Sequence, residues 1–120
     1  MPTPDEVTLA DIRAARKRLA GIVVRTPLVR LDVPDVAGEI WLKLENLQPI
    51  GSFKLRGAAN AMLRAGRARL ADGAYTASAG NMAQGVAWSA RQIAVAAANS
   101  PAARASSAKL KRLNLAREPC

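Results

Sequence analysis

Between Trp41 and Asn60 the chain changes its period, and this change limits what it can fold into. Residues through Glu45 alternate apolar and polar as in a strand, whereas from Phe53 the pattern Leu55, Ala58, Ala59, Met62, Leu63 is that of a helix. Gln48, Pro49, Ile50, Gly51 and Ser52 bend the chain between them, so Lys54 falls in the first turn of the helix. The free N–H groups and the positive end of the helix dipole favour anions there and disfavour an ammonium. Lysines held in the neutral state are the ones that attack aldehydes. Most lysines at helix starts are simply solvated, so Lys54 needs its neighbours before chemistry can be assigned to it.

A second strand, turn and helix start follows. Ala74 to Ser78 reads as a short buried strand, and it delivers the stretch from Thr76 to Gly85, which is followed by a helix through Ile93. A turn of small residues entering a helix presents N–H groups to an anion such as a carboxylate. By itself this is a common arrangement.

Upstream, Thr8 and Asp11 make a capping-box variant, and Leu9, Ile12, Ala15 and Leu19 mark one face of a first helix that Gly21 ends. Its other face carries Arg13, Arg16, Lys17 and Arg18, which reads as a surface helix docked on a core. Pro27 imposes an extended approach to a strand through Leu31, and Glu39 to Glu45 returns as its antiparallel partner. Trp41 reads as a packing residue, and Gly66 as the cap of the helix that Lys54 opens.

The 120 residues suit one small domain. A formal net charge of +9 raises nucleic acid as a partner, but the cations are spread over several segments and aromatic residues are only 3% of the chain, which argues against base stacking. A single cysteine, Cys120, and the absence of histidine leave no disulfide and no metal-ligand cluster. No segment has the apolar length of a membrane span, and the acidic start lacks the apolar stretch of a secretion signal, so a cytoplasmic protein is expected.

The run Leu42-Lys43-Leu44-Glu45-Asn46-Leu47-Gln48, with Ser52-Phe53-Lys54-Leu55-Arg56-Gly57-Ala58 after it, resembles the cofactor-lysine motif of fold-type II pyridoxal-phosphate enzymes. The nearest branch is the threonine/serine dehydratase (threonine ammonia-lyase) family. The stretch Ser78-Ala79-Gly80-Asn81-Met82-Ala83-Gln84-Gly85 is similar to the family's second motif, with Met82 where a histidine is usual.

The resemblance implies an α/β fold, part of the tryptophan synthase β-like fold, with helices around a short incomplete sheet. It implies pyridoxal 5'-phosphate as cofactor and an amino acid as small-molecule substrate. Lys54 would carry the cofactor and move the substrate α-proton, Phe53 would pack on the cofactor ring, and Asn81 would hydrogen-bond the ring hydroxylate. The turn of Ser78, Ala79, Gly80, Asn81 and Met82 would hold the substrate carboxylate. The implied reaction is loss of the β-hydroxyl and of ammonia, giving a 2-oxo acid. Serine racemases have a serine where Ala79 stands, and without its hydroxyl elimination is expected in place of racemisation.

The resemblance runs from about Leu9 to about Ile93, giving a catalytic-domain portion 1–93 and an unmatched alanine-rich basic tail 94–120, disordered or helical. Residues after Ile93 are poor in strand formers, so the strand that should cover the sheet is expected to be missing. The glycine-rich phosphate loop that the resemblance implies has no match either, so the chain is expected to be a truncated, inactive piece of the enzyme. A basic nucleic-acid-binding module and a non-catalytic remnant of the fold are the competing readings, and oligomerisation is left open.

Overall fold

The computed structural model describes residues 6–99. Helix α1 (Leu9–Arg18) opens on the capping box, with Thr8 Oγ1 accepting from the Asp11 N–H at 3.2 Å and Asp11 accepting from the Thr8 N–H at 3.0 Å. The apolar face expected to dock is largely uncovered: Leu9 and Ile12 are exposed, and Leu19, just past the helix, is buried. Arg18 Nε donates to Asn60 Oδ1 at 2.9 Å and ties the end of α1 to the helix that follows the bend.

Strands β1 (Leu28–Leu31) and β2 (Ile40–Lys43) pair antiparallel, with Leu28 opposite Lys43 and Leu31 opposite Ile40. The hairpin is as expected, but its second strand stops at Lys43, and Glu45–Leu47 form a 3-10 turn. Trp41, expected to pack, is half exposed.

Helix α2 (Lys54–Arg69) is broken at Gly66, whose φ of 75° lies in the left-handed region, so the regular helix ends where the cap was expected. Strand β3 (Ala74–Thr76) leads through residues 77–80 into α3 (Asn81–Gln92). Strand β3 is not buried as expected, since Tyr75 lies open to solvent.

Strand β4 (Ala97–Asn99) pairs parallel with β3, with α3 as the crossover. This corrects the expectation that no strand follows Ile93. Alanine is a weak strand former, but the left-handed Ala94 turns the chain sharply back along β3 and non-local pairing overrides propensity. Residues 100–120, with the rest of the expected tail and Cys120, lie outside the described residues.

The core lies between α2 and α3. Ala58, Met62, Val86, Ala90 and Ala97 form one buried cluster, against which Leu70, Met82, Ile93 and Val95 pack. Its small side chains let the helices approach closely. At Gly85 an added Cβ would lie 3.1 Å from Ala58 Cβ and 3.2 Å from the Lys54 carbonyl oxygen, so only glycine fits there without a shift.

Candidate active site at two helix starts

The bend before Lys54 is closed by the Gly51 N–H, which donates to the Gln48 carbonyl at 2.7 Å, with Gly51 at φ 70°. Ser52 then turns its hydroxyl to accept from the Lys54 N–H at 3.2 Å, satisfying a donor that the helix cannot. Lys54 is therefore the first residue of α2, as the sequence predicts. Its side chain is half-buried, and its ammonium lies 5.1 Å from the centroid of the Phe53 ring, within reach of a cation–π contact. Phe53 is 58% exposed and presents its ring to open space.

The second bend repeats the device. Ser78 Oγ accepts from the Gly80 N–H at 3.1 Å, and Asn81 opens α3 as an exposed residue. Among the described residues no side chain caps α3, whose first N–H groups have no partner within the helix itself. Met82 turns inward against the core, where a thioether is accommodated and an imidazole would lose water from its nitrogens. Ala79 is exposed.

The structure brings the two starts together. Gly85 is one helical turn beyond Asn81, about 6 Å along the axis, and its Cα faces the Lys54 carbonyl. The backbone of Lys54 thus packs against α3 one turn inside its start.

A polar cluster to which sequence reasoning gave no role lies beside the first bend. The Glu45 carboxylate receives Arg56 Nε and Nη2, both at 2.8 Å, Thr26 Oγ1 at 2.6 Å and Gln48 Nε2 at 3.3 Å. Arg56 holds the Glu45 carboxyl down to about 2, with Thr26 and Gln48 adding to the effect against the opposing cost of burial. Reciprocally, Glu45 raises the Arg56 guanidinium above its ordinary value. Gln48 further clips Val24, accepting from its N–H at 2.9 Å and donating to its carbonyl at 2.8 Å. Lys43 donates to the Thr26 carbonyl. Glu45, Gln48 and Arg56 belong to the motif read from the sequence, but Thr26 is 19 residues from Glu45 and only the hairpin reveals it as a partner.

Residues 19–116 match the profile of pyridoxal-phosphate dependent enzymes, well over half of the chain. The chain belongs to that family. Its family cofactor is pyridoxal 5'-phosphate, and the architecture is that of a partial fold-type II enzyme. Over 87 residues the chain is 46% identical to an L-threonine ammonia-lyase of Thermotoga maritima, covering 71% of this chain and 22% of the relative. It is 40% identical to a serine racemase of Dictyostelium discoideum over 87 residues, which are 71% of this chain and 27% of that one. A solved pyridoxal 5'-phosphate-dependent aspartate racemase superposes with a TM-score of 0.81 at 31% identity, over 99% of this chain and 38% of that one. The chain thus spans about a quarter of the length of these two curated relatives.

The residues present fit part of the cofactor. A primary amine suits its aldehyde, an exposed phenyl ring suits its aromatic face, and an uncapped helix start suits the carboxylate of an amino acid. The glycine-rich phosphate loop implied by the resemblance has no counterpart among the described residues.

Proposed function

We propose that this chain carries the lysine and carboxylate-binding parts of a pyridoxal-phosphate enzyme that deaminates a small hydroxy amino acid, L-threonine or L-serine. The observation that supports the reading is the packing of the Lys54 backbone against α3 at Gly85, one helical turn past the residue that opens α3. Lys54 holds the cofactor covalently, Phe53 packs on its ring, and Asn81 hydrogen-bonds its ring oxygen. Ser78, Ala79, Gly80, Asn81 and Met82 receive the substrate carboxylate, Met82 through its backbone N–H, since its side chain is engaged with the core. When bound, pyridoxal phosphate supplies an electron sink conjugated to the substrate α-carbon.

In this reading the substrate amino group would displace Lys54 from the cofactor, and the freed Lys54 amine would take the α-proton while the 78–82 turn fixes the carboxylate, so the scissile bond is held in one orientation. The β-hydroxyl leaves as water, and the released enamine takes up one water to give a 2-oxo acid and ammonia. L-Threonine becomes 2-oxobutanoate and L-serine becomes pyruvate.

Racemisation is the second reading, favoured by the likeness to serine and aspartate racemases. It needs an acid on the face opposite Lys54, and Ala79 has no hydroxyl to provide one. Incubation of the cofactor-loaded protein with L-serine, followed by chiral analysis, separates the two. Wherever turnover occurs, pyruvate is expected to form faster than D-serine, whereas D-serine formed faster overturns the assignment.

A further inference from the structure

Among the described residues, little holds the Lys54 side chain itself. The Phe53 ring beneath its ammonium is itself exposed, and the Ser52 hydroxyl restrains only the backbone. The firmest attachment of this helix turn is two residues further on, at Arg56. On a helix, residues two apart are separated by about 200° and point to opposite sides. Whatever grips Arg56 therefore sets the direction of Lys54 from behind, without contact.

We propose that Glu45 is the positioning residue for Lys54, fixing the rotation of the α2 start by clamping Arg56 on the face opposite the lysine. Its two oxygens accept from Arg56 through a pair of parallel bonds, and Thr26 and Gln48 supply one bond each. The carboxylate cannot rotate without breaking several of these at once. Arg56 Nη2 also reaches the Val24 carbonyl at 3.2 Å, and Gln48 holds the same residue through both of its backbone groups. Four segments meet at this carboxylate: residues 24–26, the 3-10 turn, the bend, and the first turn of α2. Besides Arg56, Lys43 is the other cation tied into this cluster, through the Thr26 carbonyl. The catalytic meaning of the clamp rests on Lys54 being the cofactor lysine, but the mechanical claim stands on the contacts alone.

Two readouts test it in the full chain. Glu45→Gln keeps the shape and removes the charge, while Arg56→Lys keeps the charge and removes the fork. In either variant, amide hydrogen exchange of residues 53–57 should rise about tenfold, the loss of one charge-assisted hydrogen bond, with residues 83–90 of α3 unchanged. The double variant should be no worse than either single one, because both remove the same clamp. Borohydride trapping of pyridoxal phosphate at Lys54 should fall by a similar factor relative to trapping at the exposed Lys17.

A purely structural role would raise exchange in α2 and α3 together, and that result overturns the proposal, as does exchange at 53–57 identical to wild type. Should Glu45→Gln fail to fold, Thr26→Val removes a single donor and carries the same comparison. Absence of wild-type trapping at Lys54 would sink the functional reading instead, and the exchange pattern would still decide the clamp.

Discussion

Helices α2 and α3 begin alike and are held differently. Each follows a bend in which a serine hydroxyl accepts an N–H two residues on, Ser52 from Lys54 and Ser78 from Gly80. Behind the first bend lies a charged cluster around Glu45, whereas the second is seated by apolar packing of Met82, Ala83 and Val86. The ends, by contrast, are alike. The regular part of α2 stops at Gly66 in the left-handed region, and α3 is followed by Ala94 at φ 53° in the same region. The contrast teaches that a position needing a defined direction is held by directional bonds, and one offering backbone N–H groups is held by contact.

The largest effect is expected where the two helices meet. Gly85→Val would place methyl groups where even a Cβ is 3.2 Å from the Lys54 carbonyl, and it should cost about 3 kcal/mol, more than the gain in helix propensity. Chemical denaturation measures it. A variant as stable as wild type would break the account of how the two starts are brought together.

The next effect separates the charged start from the packed one. The Glu45 carboxyl falls from an ordinary 4.5 to about 2 in the folded chain, so its contribution is complete above about pH 4.5 and is lost as pH drops toward 2. Allowing for solvent screening at the partly exposed Arg56, this is about 2 kcal/mol. Asp11 also has a lowered value, from its hydrogen bonds with Thr8, and adds to the acid transition. Comparison with Glu45→Gln isolates the Glu45 part, because that variant should lose the corresponding share of the pH slope.

The smallest effect tests the helix ends. Ala94 closes α3 in a Schellman arrangement, with the Val95 N–H donating to the Ala90 carbonyl at 3.0 Å, a place where glycine carries no Cβ penalty. Ala94→Gly should therefore raise stability by about 1 kcal/mol. Thermal melts under matched conditions check it, and a destabilised variant would show that the left-handed turn costs less than the entropy of glycine.

Much of this arrangement was legible in the sequence where the signal is local. Thr8 and Asp11 give the first helix start, Gly51 and Ser52 the bend, and the change of period places Lys54 at the head of α2. The hairpin was legible for the same reason, whereas α3 opens at Asn81, inside the stretch that reads as preceding the helix. What escaped depends on distant partners. Glu45 ends an alternating run and so reads as strand, but its bonds to Thr26 and Arg56 favour a tight turn. Ala97 to Asn99 lack strand formers and pair only because β3 lies alongside. Periodicity likewise marks Leu9 and Ile12 as a face without saying what covers it.

The central claim is that Lys54 is the amine to which the cofactor binds, and trapping tests it most directly. The chain is incubated with pyridoxal phosphate, reduced with borohydride and mapped by peptide mass spectrometry. The account predicts a pyridoxyl group on Lys54, formed in preference to Lys17 and Lys43 and absent in Lys54→Ala. A label on another lysine, with Lys54 unmodified, would contradict it.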